Sequence, residues 1–320
     1  MHSLQARAKA DSRSTDELDD RLITILQEDV RHPVGKIARR LGISTPTVRR
    51  RIQKLKDDNI LYMGVITDLY AVGYEFLIFC GVKVTGREAL SVATDIAKLS
   101  DTLTVNLVQG HFDIEAVLAT KSKEEIGRLL LHVVASIPGV DSVAPSLALD
   151  VWKFQADTVP PNPSLIARKK PQLDRLNLEI LDCLQNDARM SMRGVASRLG
   201  VTSSTVRARY RQMLDRKQSR LTAVRSQETE RAQQVAYLGI LVTGGTAADV
   251  CTVISALPEI SFVATTLGPY DIIACAVMTE QIHLTRLIEQ FLPTIPGVRR
   301  VDLSHCVENV KYQLELGLVL

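Results

Sequence analysis

The chain has 320 residues, 46% of them apolar, and a formal net charge of +3 from 39 Lys/Arg against 36 Asp/Glu. That length suits two to four domains with sizeable cores, and so small a net charge means that any affinity for nucleic acid must come from a local patch. Five scattered cysteines without a CxxC pair argue against a disulfide framework or a zinc site and for buried thiols in a reducing compartment. The opening MHSLQARAKADSRSTD lacks the apolar stretch of a signal peptide, and no apolar run is long enough to span a bilayer, so a cytoplasmic protein is expected.

The chain is written twice. RLGIS at 40–44 returns as RLGVT at 198–202, GHFDI at 110–114 as GPYDI at 268–272, and IPGV at 137–140 recurs at 295–298. Every pair shares the offset of Gly42 and Gly200 (200 − 42 = 158), so Asp16–Phe154 aligns with Asp174–Tyr312 without a gap. Two copies are too few for a solenoid and suit a plain duplication or a fused homodimer. The proline-rich ADTVPPNPSLIARKKP between them reads as a semi-extended linker.

After an N-terminal arm at 1–13, helical spacing begins. PVGKIARRL turns Val34, Ile37, Ala38 and Leu41 inward, Gly42 marks a sharp turn, and Val48, Ile52 and Leu55 form the apolar stripe of the next helix. Ser44 and Thr45 supply hydroxyl caps ahead of Pro46 in the first turn. A short helix, a glycine turn and a capped basic helix make a helix-turn-helix, whose second helix enters the major groove with its N-terminal residues nearest the bases. The DNA-binding candidates are therefore Ser44, Thr45, Pro46, Thr47, Arg49, Arg50, Arg51, Gln53 and Lys54, and in the second copy Ser203, Ser204, Thr205, Arg207, Arg209 and Arg211. Between Asp29 and Asp57 lie nine Lys/Arg and no acid, and between Asp187 and Asp215 six and no acid. A solvated helix face mixes signs; a surface against phosphates excludes acids. Arg49 and Arg51 match Arg207 and Arg209 and read as phosphate contacts. Arg50, Gln53 and Lys54 face Ala208, Arg211 and Gln212 in the alignment, so unequal half-sites are expected.

The second part of each copy changes period. FLIFCGVKV is a buried strand, REALSVATDIAKLS a helix, DTLTVNLVQG and HFDIEAVLAT two strands joined by a tight turn, SKEEIGRLLLHVVASI a helix, and VDSVAPSLALDVWKF the last strand. The order β-α-β-β-α-β is that of a ferredoxin-like split βαβ domain. GHFD and GPYD read first as turns, with Gly free to take positive φ and Asp bonding nearby amides. The six histidines show no HxH or HxxxH spacing, and there is no GxSxG, phosphate loop or GxGxxG after a strand, so neither metal, cofactor nor catalytic site is expected.

Each copy resembles a regulator of the leucine-responsive/asparagine-regulator (Lrp/AsnC) family. The resemblance rests on ILQEDVR…IARRLGIS…TVRRRIQKL and ILDCLQNDAR…VASRLGVT…TVRARYRQM, and on GHFDI…IPGV and GPYDI…IPGV. It implies an α+β fold: two copies of a winged-type helix-turn-helix followed by a ferredoxin-like effector domain. The corresponding spans are 14–62 and 63–154, a linker at 155–171, then 172–221 and 222–320. It also implies dimers that assemble further and transcription controlled by amino acids or related small molecules. In the family the glycine loop lies at an interface between effector domains. There Gly110 and Gly268 would let a ligand approach the backbone, Asp113 and Asp271 would meet an ammonium group, and His111 and Tyr270 would lie alongside. The expected partners are double-stranded DNA, a small-molecule effector and further copies of the chain, and no enzymatic activity is expected. The rival is a siroheme decarboxylase-like enzyme, a class with the same two-part architecture that occurs as fused pairs. Where copy one has the apolar NILYMGVI, copy two has the polar KQSRLTAVRS, so its helix-turn-helix is expected to dock less firmly or bind more weakly.

Overall fold

The computed structural model describes residues 15–58, 60–69, 71–154, 173–216, 218–225, 234–278 and 280–312; the arm at 1–13 and the linker at 155–171 lie outside the described residues. The first copy gives helices α1 (Glu17–Glu28), α2 (Val34–Leu41) and α3 (Thr45–Asp57), strands β1 (Leu61–Thr67) and β2 (Phe76–Val84), and helix α4 (Ala89–Ala97). It continues with β3 (Thr102–Gly110), β4 (Ile114–Thr120), α5 (Lys123–Gly127, running on as a π-helix over Arg128–Val134) and β5 (Val140–Phe154). The second copy repeats the series as α6 (Arg175–Asn186), α7 (Met192–Leu199), α8 (Ser203–Asp215), β6 (Ser219–Arg225), β7 (Gln234–Val242) and α9 (Ala247–Ser255). It ends with β8 (Ile260–Leu267), β9 (Ile272–Met278), α10 (Gln281–Arg286, then a π-helix over Leu287–Phe291) and β10 (Val298–Tyr312).

The chain sorts by kind of structure and not by copy. One compact unit takes Met1–Asp68 with Leu173–Arg231; the other takes Leu69–Gln172 with Ala232–Leu314. β1 and β6 stay with the helices that precede them.

In the first unit the apolar stripes bury as their spacing dictates. Leu22 and Leu26, Ile37 and Leu41, then Val48, Ile52 and Leu55 form the core of copy one. β1 and β6 pair antiparallel with Gly64 opposite Thr222, which is its own counterpart 158 residues on (222 − 64 = 158). The ladder is thus centred on a pseudo-two-fold axis. Helix α1 packs on β6 and α6 on β1, so each copy's first helix covers the other copy's strand. The Gln185 side-chain oxygen accepts the Val65 N–H at 2.7 Å. Two arginines repeat the exchange: Arg31 donates to the Met190 carbonyl, and Arg189 donates to the carbonyls of Val30 (2.9 Å) and His32 (2.8 Å). Arg31 and Arg189, and His32 and Met190, are counterparts in the repeat. The polar segment of copy two, expected to dock less firmly or bind more weakly, contributes β6 to this ladder. It pairs with β1 along its length, and Leu221, Thr222 and Ala223 are buried.

In the second unit eight strands close in the order β10-β3-β4-β2-β5-β8-β9-β7. Each copy supplies one ferredoxin-like sheet, β3-β4-β2-β5 or β8-β9-β7-β10. The ladders β5·β8 and β10·β3 join the two sheets, so no strand edge is left open. Alternation along the strands sets two environments. On copy one, Ile78, Cys80, Val82, Ile114, Ala116 and Leu118 pack outward with the helix residues Val92, Ala93, Ile96 and Leu129. The intervening positions, Phe79, Gly81, Glu115 and Val117 among them, face the barrel interior.

Candidate nucleic-acid interface and effector loops

Each recognition helix is set by its cap and its stripe. Gly42 and Gly200 end α2 and α7 with φ of 69° and 68°, the left-handed turn that glycine takes without strain. The Ser44 hydroxyl accepts the Thr47 N–H at 3.3 Å, and the Thr202 hydroxyl accepts the Thr205 N–H at 3.1 Å. With Val48, Ile52 and Leu55 buried, Arg49, Arg50, Gln53 and Lys54 are exposed; Ser44 and Pro46 are exposed and Thr45 and Thr47 half-buried at the helix start. In copy two, Val206 and Met213 are buried, and Arg207, Ala208, Arg211 and Gln212 are exposed, with Ser204 exposed and Ser203 and Thr205 half-buried. Tyr210 replaces Ile52, and its hydroxyl accepts the Leu221 N–H at 3.3 Å, which ties α8 to β6.

Arg51 and Arg209, read as phosphate contacts, are engaged within the protein. Arg51 reaches Asp16 at 2.8 Å and Asp19 at 2.7 Å, the two carboxylates of the capping box that begins α1. Arg209 makes the equivalent ion pair with Asp174, the N-cap of α6. The Arg51 guanidinium beside Asp16 holds its carboxyl below the usual carboxylate range. For Asp174 the Asn177 amide contributes most to the same direction and Arg209 adds to it. These arginines fasten the recognition helix to the first helix. Arg40 is likewise paired with Glu28 at 2.6 Å, so a window free of acids in sequence is partly neutralised in space. Gln53 donates to Asp57 one turn on, at 2.7 Å. Arg49, Arg50 and Lys54, with Arg207 and Arg211, are exposed and carry no ion pair among the described residues. The acids were missed because they precede the basic window, yet a signal existed: Asp16–Arg51 and Asp174–Arg209 recur at one spacing in both copies.

The six loop residues are placed differently from one another. A Cβ on Gly110 would lie 2.1 Å from the Leu303 carbonyl oxygen, and one on Gly268 would lie 2.5 Å from that of Pro145. At each glycine the other copy's last strand lies where a side chain would stand. Asp113 accepts the Val84 N–H and Asp271 the Val242 N–H, both at 2.8 Å, so each aspartate pins its loop to the end of a neighbouring strand. Lys83 stands 3.8 Å from the other Asp113 oxygen. Tyr270 is buried over Gly239, and its hydroxyl donates to Asp302 at 3.0 Å. His111 is exposed and stands edge-on to Phe112, ring centroids 4.6 Å apart.

These features have close parallels. The AsnC-type helix-turn-helix domain profile matches twice, at residues 16–56 and 173–214, and that of a C-terminal dimeric α+β barrel domain matches residues 241–317. The HTH-type transcriptional regulator FL11 of Pyrococcus abyssi is 32% identical over 141 residues, covering 44% of this chain and 93% of that protein. An uncharacterized HTH-type transcriptional regulator of Pyrococcus furiosus is 33% identical over 140 residues, with 43% and 95% covered.

The chain belongs to the Lrp/AsnC family of DNA-binding transcriptional regulators.

A relative of this Lrp/AsnC chain spans about one copy, whereas a solved structure that matches both copies is an enzyme. The crystal structure of the siroheme decarboxylase NirDL covers 93% of this chain and 96% of its own, with a TM-score of 0.62 and 16% identity. A second NirDL structure, in complex with an iron-uroporphyrin III analogue, gives the same values. This likeness of fold corrects the expectation that the chain is not an enzyme: an enzyme has this architecture over nearly the whole length.

Proposed function

We propose that this Lrp/AsnC chain reads a DNA operator with α3 and α8 as two recognition helices. The observation that carries the reading is the pair of exposed cationic faces, Arg49, Arg50 and Lys54 on one helix and Arg207 and Arg211 on the other, each backed by a buried stripe. Arg49 and Arg207 contact phosphates, while Arg50, Gln53 and Arg211 meet base edges. The faces differ between copies, so the half-sites are unequal. A small molecule biases DNA binding or assembly from the loops at Asp113 and Asp271. The support is that Asp113 keeps 38% of its side chain exposed beside Lys83 and His111. The chain works in the cytoplasm and self-associates beyond the pairing of its own copies.

The test is selection of binding sites from random duplexes, followed by footprinting. Unequal protection of two arms is expected, with affinity falling steeply as salt rises; a perfect palindrome with equal arms refutes the two-reader assignment. Tetrapyrrole decarboxylation is a second reading, supported by the NirDL likeness across both copies. A visible spectral change on adding siroheme, with no retention of DNA in a gel shift, would replace the operator reading with it.

A further inference from the structure

The two copies build the barrel wall symmetrically, but they do not line its interior symmetrically. Glu115 is cross-strand partner to Asn106, and Ser304, which donates to the Glu115 carboxylate, pairs in register with Tyr237. The Asn106 amide donates to the Tyr237 hydroxyl at 2.6 Å, and Cys306 donates to the Asn106 oxygen at 3.6 Å. Cys275 sits opposite Tyr237 on the next strand. A continuous polar lining therefore runs from β4 across β3, β10 and β7 to β9.

The repeat equivalents tell the opposite story. Glu115 corresponds to Ile273, Asn106 to Ala264, Tyr237 to Phe79, Cys275 to Val117 and Cys306 to Ala148. Ser304 alone of these keeps its kind, as Ser146, and aromatic rings meet in that half: Phe79 and Phe262 have centroids 5.0 Å apart, with Phe154 6.2 Å from Phe262. Ile273, Ala264, Phe79 and Val117 are all buried.

The polar half lies between two buried rings, Phe112 against Gly81, the cross-strand partner of Glu115, and Tyr270 against Gly239. Glu115, Tyr237, Cys275 and Cys306 each keep part of their surface accessible. Desolvation is nonetheless the largest influence on all four, raising the acid to about 7 and both thiols to about 11. The Glu115 carboxylate has no ion pair among the described residues, and a largely buried carboxylate without a cation is costly.

We propose that the polar half of the barrel is a binding site for a small primary amine. Its ammonium group sits on Glu115, with the hydroxyl oxygens of Ser304 and Tyr237 beside it, and its apolar part lies toward Phe79 and Phe262. A free amino acid is a poorer ligand, because no Arg or Lys among the described interior residues named here would meet its carboxylate. The site is separate from the glycine loops and does not depend on the operator reading.

The experiment uses the full chain and three primary amines of rising size: n-butylamine, isoamylamine and 2-phenylethylamine. Each is paired with its alcohol. Thermal unfolding and calorimetric titration should show at least one amine binding and raising the transition, while its alcohol does not. Glu115→Gln should weaken that amine by about tenfold or more, the loss of a charged hydrogen bond. Tyr237→Phe, which installs the residue found at the equivalent position of copy one, should weaken it several-fold and keeps the test decisive if Glu115→Gln fails to fold. The proposal is overturned if none of the amines binds, if the alcohols bind as well as the amines, or if Glu115→Gln or Tyr237→Phe folds and binds undiminished. Binding lost in Asp113→Asn and kept in Glu115→Gln would place the amine at the loop and overturn it equally.

Discussion

Replacing Glu115 by glutamine should change how stability depends on pH, and the structure gives the size. Burial lifts this carboxyl from the usual 4.5 to about 7, against the opposing bond from Ser304. Between those two values the folded protein holds a proton that the unfolded chain has released, so stability falls as pH rises from 4.5 through 7 and is level above it. A shift of about 2.5 units is worth about 3 kcal/mol, and the accessible surface that Glu115 keeps makes this a ceiling, so we expect ~1–3 kcal/mol. Glutamine retains the shape and the bond to Ser304 but cannot ionise. Urea unfolding of both proteins at pH 5 and pH 8 isolates the effect, because every other titrating group cancels in the double difference. Glu115→Gln should match the parent at pH 5 and exceed it at pH 8. A double difference within error of zero, or of opposite sign, would show that Glu115 ionises as an ordinary surface acid and is not enclosed by the barrel.

Six other substitutions probe the assignments. Arg51→Ala should lower stability by about 1–3 kcal/mol, through loss of the part-buried pairs with Asp16 and Asp19. It should leave the salt dependence of operator binding intact. Lys54→Ala should do the reverse, with stability unchanged and the log–log salt slope reduced by about 1 in a filter-binding assay. Arg189→Ala strands the carbonyls of Val30 and His32 and should cost about 2 kcal/mol in urea unfolding, with Arg31→Ala comparable; a change below roughly 0.5 kcal/mol would deny these bonds a part in holding the copies together. Gly110→Ala meets backbone and should be far more damaging than Gly86→Ala, which has φ of 68° and open space around its Cβ and should cost about 1 kcal/mol, as thermal unfolding of both will show.

Much of the architecture was legible because it is written in local periods. FLIFCGVKV and VDSVAPSLALDVWKF are the observed strands β2 and β5 to the residue, and the Val48, Ile52, Leu55 stripe faces the core as its spacing requires. What escaped was set by contacts distant in sequence. Glu115 alternates with Ile114 and Ala116 and so reads as a solvent-facing strand residue; only closure of the barrel turns that face inward. Asn106 and Tyr237 meet across 131 residues, and no window on the sequence contains both. The effector glycines were assigned to a ligand for a similar reason. The group lying close to each is the last strand of the other copy, which no local window contains. The recognition helix was located from its caps and turn, while the division of its arginines between fold and DNA depended on where α1 carries its acids.

The ladder centred on Gly64 and Thr222 has one more implication. Two separate subunits joined by such a ribbon would part on dilution, and their pairing would follow expression level. Here the partners share a backbone, so the two helix-turn-helix units stay paired within one molecule whatever its concentration.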